Sequence, residues 1–490
     1  MNRILNMKKL TSHGNREGRK AVAEILEAGL QAADPYSNTK KLFKLKGNKL
    51  VIGGPDYIPD GDFQTEAEVI NLVKIDRIFV FGAGKGVQRI AKAIEDVLGN
   101  KLTGGHVIDK KGANMELNKI GVTLGAHPVP DEDCIKGCQE IIEMTKDLTE
   151  KDLVFTIAAN GISSLLTLPV PGVTLEEVRQ ITYLMQIKLG VPTGDLNFIR
   201  NNLDIMKGGR ISRYMRPAKC IHLVACDYNY DSIMNKNSWL HTLPDKTDFL
   251  GAIRILKKWR IWEEIPESIK KHFLKADPKD ETVKPEEFMK YPFRVFILMP
   301  KKIGVVSMAS KKAEELGFKA VLISNCLEAE AREAGYVMAS IALTIEKMGS
   351  PFSSPCVLLS RGDLLVTVGN ERGIGGRNQE FVLSMASRIA GSKNIVVGSV
   401  DTDGTDGPGT QFCDNERLPT LAGGLIDGYT EQEINDKKID IYMELAKHNT
   451  TPVLLELDSG ILTTKNISLN DLTAILIQGN REDCVSIKLG

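Results

Sequence analysis

Apolar residues recur at helical spacing through residues 16–32, REGRKAVAEILEAGLQA, and predict an amphipathic helix stopped by the Asp-Pro-Tyr of 34–36. From residue 77 the pattern alternates. RIFVF reads as a strand, GAGKG as a tight turn and VQRIAKAIEDVL as an amphipathic helix. The same strand, loop and helix grammar returns at LVFTIAANGISSLL (153–166) and CIHLVAC (220–226). Short apolar strands that alternate with helices predict a parallel sheet covered on both faces.

The polar, proline-punctuated stretch 276–292, ADPKDETVKPEEFMKYP, marks the best boundary. Beyond it VFILM, KAVLIS, CVLLS, LLVTV, NIVVGSV and TAILI are candidate strands of a second α/β series. The expected architecture is therefore α/β in two domains, residues 1–290 and 291–490. At 490 residues the chain is also too long for one typical core. In such folds ligands bind beyond the C-terminal ends of the strands, where the unusual loops fall.

Composition narrows the class. With 42% hydrophobic and 26% charged residues, the chain is neither largely disordered nor membrane-embedded. Lys+Arg and Asp+Glu both number 63, so no global field attracts nucleic acid. The one short basic patch, KKWR (257–260), reads as a solvated helix face. Eight cysteines show no CxxC pair, and Cys134 and Cys138 read as buried thiols rather than zinc ligands. No apolar run reaches about 18 residues and no signal-like h-region is present, so a cytoplasmic protein without membrane contact is expected.

Several loops could carry chemistry. In FVFGAGKG (79–86), Gly84 and Gly86 let backbone N–H groups approach an anion at a helix start, and Lys85 adds a charge. It is not a P-loop, and Val87 stands where a dinucleotide fingerprint needs its third glycine. Asp109 as a ribose-binding acid keeps a nicotinamide reading open beside phosphate binding and simple packing. His127, in HPVPD, is either an acid/base or a turn residue. In LNFIRNNLDIMKGGR (196–210), Asn197, Arg200, Asp204 and Lys207 follow helical steps and read either as an anion site or as a surface ion-pair ladder. GIGGRNQE (373–380) places Gly375 and Gly376 before Arg377, Asn378 and Glu380 at a helix start, which suggests an anion site beyond a mere cap. DTDGTDGPGT (401–410) lacks EF-hand spacing, leaving a Mg²⁺-phosphate site or an ordinary turn.

Together these stretches resemble the type-2 glycerate kinase family, whose C-terminal half is called the MOFRL domain. The likeness runs nearly end to end, from LTSHGNREGRKAVAEILEAGLQAADPY through VFGAGKG, HPVPD, LNFIRNNLDIMKGGRIS, LPDKTDFLGAIRIL and IWEEIPESIKKHF to GIGGRNQEFVL, VDTDGTDGPGT and LNDLTAILI. The resemblance implies transfer of the ATP γ-phosphoryl group to the 2-hydroxyl of D-glycerate, with Mg²⁺, in a cleft between a Rossmann-like domain and the MOFRL domain. It assigns Lys85 and Arg377 to the phosphoryl group and Asp227 to the role of base or metal ligand. Asn197, Arg200, Lys207 and Ser163 are then substrate residues. Gly84, Gly86, Gly161, Gly375, Gly376, Asn378 and Glu380 are phosphate or nucleotide residues, and Asp403 and Asp406 hold the metal. A homodimer stays open.

The chain departs from the family pattern in places. A glycine-serine loop reads ANGISSLL (159–166), DYNYD (227–231) lacks a glycine, WLHT (239–242) replaces Ser-Gly-Pro-Thr, SRGD (360–363) replaces SGGE, and TTKNIS (463–468) replaces a glycine-threonine loop. The bulk of Ile162, Trp239 and Leu240 suggests a reshaped acceptor pocket. It keeps two further readings alive: a non-catalytic nucleotide- or metabolite-binding relative, and a nicotinamide-dependent hydroxypyruvate reductase.

Overall fold

A computed structural model describes residues 2–112, 117–408, 418–465 and 469–479. The helix foreseen at the start is α1 (Arg16–Ala32), N-capped by Asn15, whose side chain accepts from the Gly18 N–H. Asp34 and Pro35 do stop it, and they also start the next helix, Pro35–Leu42, with Asp34 as its cap.

Contacts divide the chain into two compact units, one formed by residues 34–187 and 191–301, the other by residues 1–33, 188–190 and 302–490. In the first, six parallel strands are β1 (Arg77–Ala83), β2 (Gly104–Lys110), β3 (Ile120–Gly125), β4 (Asp152–Ala158), β5 (Lys219–Val224) and β6 (Phe293–Ile297). Their spatial order is β3-β2-β1-β4-β5-β6. The chain turns back between β1 and β4, and the crevice at that reversal is where such sheets receive ligands. Helices α2 (Val87–Leu98), α3 (Glu132–Thr145), α4 (Thr193–Asn202) and α5 (Phe249–Lys258) belong to this unit. A small antiparallel meander, Phe43–Lys46, Lys49–Ile52 and Glu68–Asn71, also belongs to it.

The second unit has a six-stranded sheet of β7 (Lys319–Leu327), β8 (Cys356–Gly362), β9 (Ile395–Asp401), β10 (Gly423–Asp427), β11 (Gly460–Ile461) and β12 (Asp471–Ile477), ordered β7-β8-β12-β9-β10-β11. Only β7 and β8 run parallel; the other pairs are antiparallel. Helices α6 (Val305–Glu315), α7 (Ala331–Met348) and α8 (Arg377–Ala386) cover it together with α1. Gly398 of β9 lets α1 lie close: a Cβ there would stand 2.7 Å from Leu26 and 2.8 Å from Val22.

The sequence boundary at 290 falls short in two ways. The first three residues of VFILM, read as the opening strand of the second series, close β6 and pair with β5. Residues 1–33 pack with the C-terminal unit because the apolar face of α1 needs the sheet carrying β9 and β12. LLVTV (364–368) forms no strand beyond an isolated bridge from Leu365 to Glu330. Among the described residues no helix is long and apolar enough to cross a membrane, and the cysteines form no disulfide.

Candidate active site

At the β1–β4 reversal, Gly84 leaves β1 with φ 134° and Gly86 caps α2 in the left-handed region. A Cβ on Gly84 would stand 2.5 Å from the Ala159 carbonyl, so close approach of two loops requires glycine there. The backbone donors of the turn are already used. Gly84 N–H donates to Ile108 O and Lys85 N–H to Asn160 O. Gly86 N–H and Gln88 N–H donate to the two oxygens of Asp109, at 3.0 and 3.4 Å. Asp109 is thus an off-helix cap for α2, buried and further held by the Gln88 amide and the Lys110 N–H. Its burial raises its pKa.

Two expectations change on this geometry. The Gly84 N–H is taken by the Ile108 carbonyl and the Gly86 N–H by the Asp109 carboxylate, so neither stands in an open phosphate cradle. Asp109 caps a helix, so the ribose-binding role behind the nicotinamide reading loses its residue. What the loop presents is Lys85, half-buried, with Gly161 of the β4 loop packed on its stem; a Cβ on Gly161 would lie 2.9 Å from Lys85 Cγ and 3.2 Å from the His127 ring. Asp227 sits half-buried just beyond β5, the next strand across.

The stretch 196–210 is buried rather than a surface ladder. Helix α4 ends at Asn202, because Asp204 turns its carboxylate to the backbone: it accepts from Met206 N–H, Lys207 N–H and Leu168 N–H. Lys207 is only 1% exposed and donates to Asp204 Oδ2 at 2.6 Å and to Thr167 Oγ1 at 2.8 Å. That closed ion pair serves the fold, and the substrate role expected for Lys207 is not supported.

Arg200 differs. It is 7% exposed, and its one protein acceptor among the described residues is Gln186 Oε1, 2.5 Å from Nη2. No carboxylate pairs with it there, and burial lowers its pKa to about 9. One turn earlier on α4, Asn197 has a buried Oδ1 with no hydrogen-bond partner. Ser163 joins this neighbourhood through His241, whose Nε2 lies 2.8 Å from Ser163 Oγ. Gly208 N–H donates to Nδ1 of that ring at 3.4 Å, so the ring proton sits on Nε2 and is donated to Ser163. Burial first, then the charges of Lys207, Arg200 and Arg210, keep His241 neutral. The Ser163 hydroxyl proton is therefore left to donate to something else.

Ile162 and Leu240 are fully buried in the core around β1, β4 and β5, and Trp239 packs against that core. Their bulk is taken up in that core packing.

In the second unit, Arg377 opens α8 and meets three carboxylates: Nη1 to Asp363 at 2.5 Å, Nη2 to Asp401 at 3.1 Å and Nε to Asp471 at 2.8 Å. Asp401 and Asp471 are directly opposed on β9 and β12, and a like-charge pair in that position needs such a cation between its members. Asp471 is nonetheless raised to about 7, first by burial, with Asp401 and Asp363 adding to the rise and Arg377 opposing it. Asp363 belongs to the SRGD departure and preserves a carboxylate where the family pattern has glutamate.

Asp406 caps α8 from outside. One oxygen accepts from the Asn378 N–H and amide, the other from Gln379 N–H at 2.9 Å. Both oxygens are thereby engaged by the helix, which is not the arrangement expected of a metal ligand. Asp403 accepts from the Thr405 N–H and hydroxyl at 2.6 Å. Among the described residues no three His, Cys, Asp or Glu side chains are grouped to hold a metal ion. The glycines are explained by packing: a Cβ on Gly375 would meet His448 O at 2.5 Å, and one on Gly376 would meet Asp406 Cγ at 2.4 Å. Asn378 bridges Asp406, Asp471 and Ser399, and Glu380 pairs with His448 at 2.9 Å. These side chains brace the loop from within. Of the 463–468 departure, residues 466–468 lie outside the described residues.

Gln186 lies in no stretch that the sequence singles out, whereas His241, Asp363, Asp401 and Asp471 lie in WLHT, SRGD, DTDGTDGPGT and LNDLTAILI without an individual role. Asp401, opening DTDGTDGPGT, and Asp471, at the head of the apolar strand in LNDLTAILI, carry the visible signals.

Residues 21–274 match the family described as "Domain of unknown function (DUF4147)" and residues 356–470 match the MOFRL family. A glycerate 2-kinase of Pyrococcus horikoshii is 30% identical over 461 residues, covering 93% of this chain and 97% of that protein. The chain belongs to the glycerate kinase family. Within that family, the D-glycerate 2-kinase of Thermotoga maritima is 34% identical, over 84% of this chain and 93% of its own length. The crystal structure of a glycerate kinase from Thermotoga maritima superimposes with a TM-score of 0.67 at 29% identity, over 94% of this chain and 99% of that one.

Proposed function

We propose that the protein is an ATP-dependent kinase that phosphorylates the 2-hydroxyl of D-glycerate or a closely related small hydroxy acid. The observation that carries this reading is Arg200, a buried guanidinium without a carboxylate partner among the described residues, beside the orphaned Asn197 Oδ1. A buried cation of this kind is costly unless an anion completes it. A carboxylate with an adjacent hydroxyl would satisfy both groups, and the Ser163 hydroxyl, accepting from His241, keeps its own proton to donate. Family membership supplies the reaction class, and a phosphoryl acceptor needs little from the protein beyond such positioning and charge.

Lys85 is proposed to act on the transferred phosphoryl group from the β1–β4 crevice, with Asp227 as base for the acceptor hydroxyl. Arg377, expected as a second phosphate cation, is already met by Asp363, Asp401 and Asp471 and is left out of this assignment. Mg²⁺, bound with the nucleotide, would neutralise phosphate charge. Asp403 would offer a hard oxygen donor of the kind it prefers, and one or two carboxylates plus phosphate oxygens suffice for it. Asp406 is not assigned to it.

The test is Mg²⁺-dependent ADP release from ATP across a panel of 2-hydroxy acids, with the native chain and Lys85→Ala. Turnover of D-glycerate that falls roughly 10³-fold or more in the mutant supports the reading, by analogy with loss of a phosphoryl-stabilising cation. No turnover with any acid, while ATP still raises the melting temperature, would leave a nucleotide-binding protein instead.

A further inference from the structure

Within this acceptor-site reading, on which the inference rests, Gln186 stands out. It lies in Tyr183–Lys188, a π-helical turn that follows the α-helix Leu175–Thr182. One inserted residue rotates the side chains that follow by about 100° relative to an unbroken α-helix. Such turns are energetically poor and gather at functional sites. Here the turn brings a neutral amide oxygen, 2.5 Å from Nη2, to a guanidinium that has no other protein acceptor among the described residues.

The neighbouring buried cations show what ordinary satisfaction looks like. Lys207 has the Asp204 carboxylate at 2.6 Å. Arg210 donates to the carbonyls of Asn201 and Lys207, at 2.7 and 3.1 Å, and to that of Asp280. Arg200 alone of the three is held by a single amide. A glutamate differs from Gln186 by one atom and would neutralise it in place. The amide orients the guanidinium but leaves its charge for a ligand.

We propose that Gln186 is a positioning residue whose neutrality keeps Arg200 uncompensated, so that this guanidinium selects a carboxylate ligand, with Asn197 reading the hydroxyl beside it. An acid at position 186 would occupy Arg200 permanently and exclude that ligand by self-pairing. A neutral apolar residue would loosen the guanidinium but leave its charge available.

The experiment compares native protein, Gln186→Glu and Gln186→Leu by thermal shift with D-glycerate and by steady-state kinetics. Gln186→Glu is expected to melt at a higher temperature than native protein without ligand. It is also expected to lose the D-glycerate-induced shift and to raise KM for D-glycerate roughly 10- to 100-fold, the equivalent of one charge-assisted hydrogen bond, with KM for ATP unchanged. Gln186→Leu should retain a measurable D-glycerate shift and show a smaller rise in KM. A purely structural role predicts that the two variants lose binding equally. That outcome, or a Gln186→Glu protein that binds D-glycerate as the native one does, overturns the inference while leaving the kinase reading intact. A native protein that neither binds nor turns over any 2-hydroxy acid overturns the reading beneath it.

Discussion

Arg200 and Lys207 are seven positions apart in one sequence motif, and their surroundings give them opposite energetics. Lys207 is locked to Asp204, so Lys207→Met strands a buried carboxylate and should cost about 3–5 kcal/mol of stability, visible in urea denaturation. Arg200→Met removes a buried charge that has no carboxylate partner. Its expected effect is a large rise in KM for the acid acceptor with stability unchanged or increased. If Arg200→Met unfolds the protein and Lys207→Met only weakens substrate, the two assignments are reversed. Asp109 offers a third contrast: Asp109→Ala leaves two buried N–H groups at the start of α2 without their acceptor. That should cost roughly 2–4 kcal/mol in chemical denaturation, without creating or abolishing any response to NADH. The pH dependence turns on Asp471. Because its folded pKa is raised to about 7, its contribution to stability is fully present below the ordinary carboxylate range and is lost as pH rises through about 7. Asp471→Asn should flatten that decline between pH 5 and 8, measured as melting temperature against pH. An unchanged slope would mean the carboxylate is ionised throughout.

The elements were legible where periodicity and caps agreed. The α1 and α2 boundaries, at 16–32 and 87–98, follow from an apolar stripe bounded by Asn15 and by Gly86. Strand direction was not legible. The β12 strand is buried at every position, so it reads as the apolar run typical of a parallel sheet, yet it lies antiparallel to both β8 and β9. LLVTV has strand composition, but the Leu364 N–H donates to Asp471 rather than to a strand neighbour. The glycine loops stand out in the sequence, and close packing of backbone and caps accounts for Gly84, Gly375 and Gly376. Gly376 admits Asp406 to the start of α8, so Gly376→Ala should displace that cap and lower the melting temperature. The Asp109 and Asp406 caps come from 20 or more residues away, where sequence spacing carries no signal. Gln186 was invisible for a related reason: only the π turn directs it to Arg200.

On the scale of the whole molecule, the division into residues 34–187 with 191–301, and residues 1–33 with 188–190 and 302–490, makes α1 part of the C-terminal unit. Removing residues 1–33 should therefore expose the β9 and β12 amides to hydrogen exchange while those of β1 and β4 keep their protection. Equal loss in both sheets would contradict that division. Function at this scale rests on one claim, that the chain transfers phosphate from ATP to the 2-hydroxyl of a small hydroxy acid held by Arg200. Phosphorus NMR of a reaction containing the native protein, ATP, Mg²⁺ and D-glycerate tests it most directly. The account predicts a new phosphomonoester signal for 2-phosphoglycerate that is greatly reduced with Arg200→Met. Appearance of 3-phosphoglycerate instead, or an equal yield of 2-phosphoglycerate from the mutant, would contradict it.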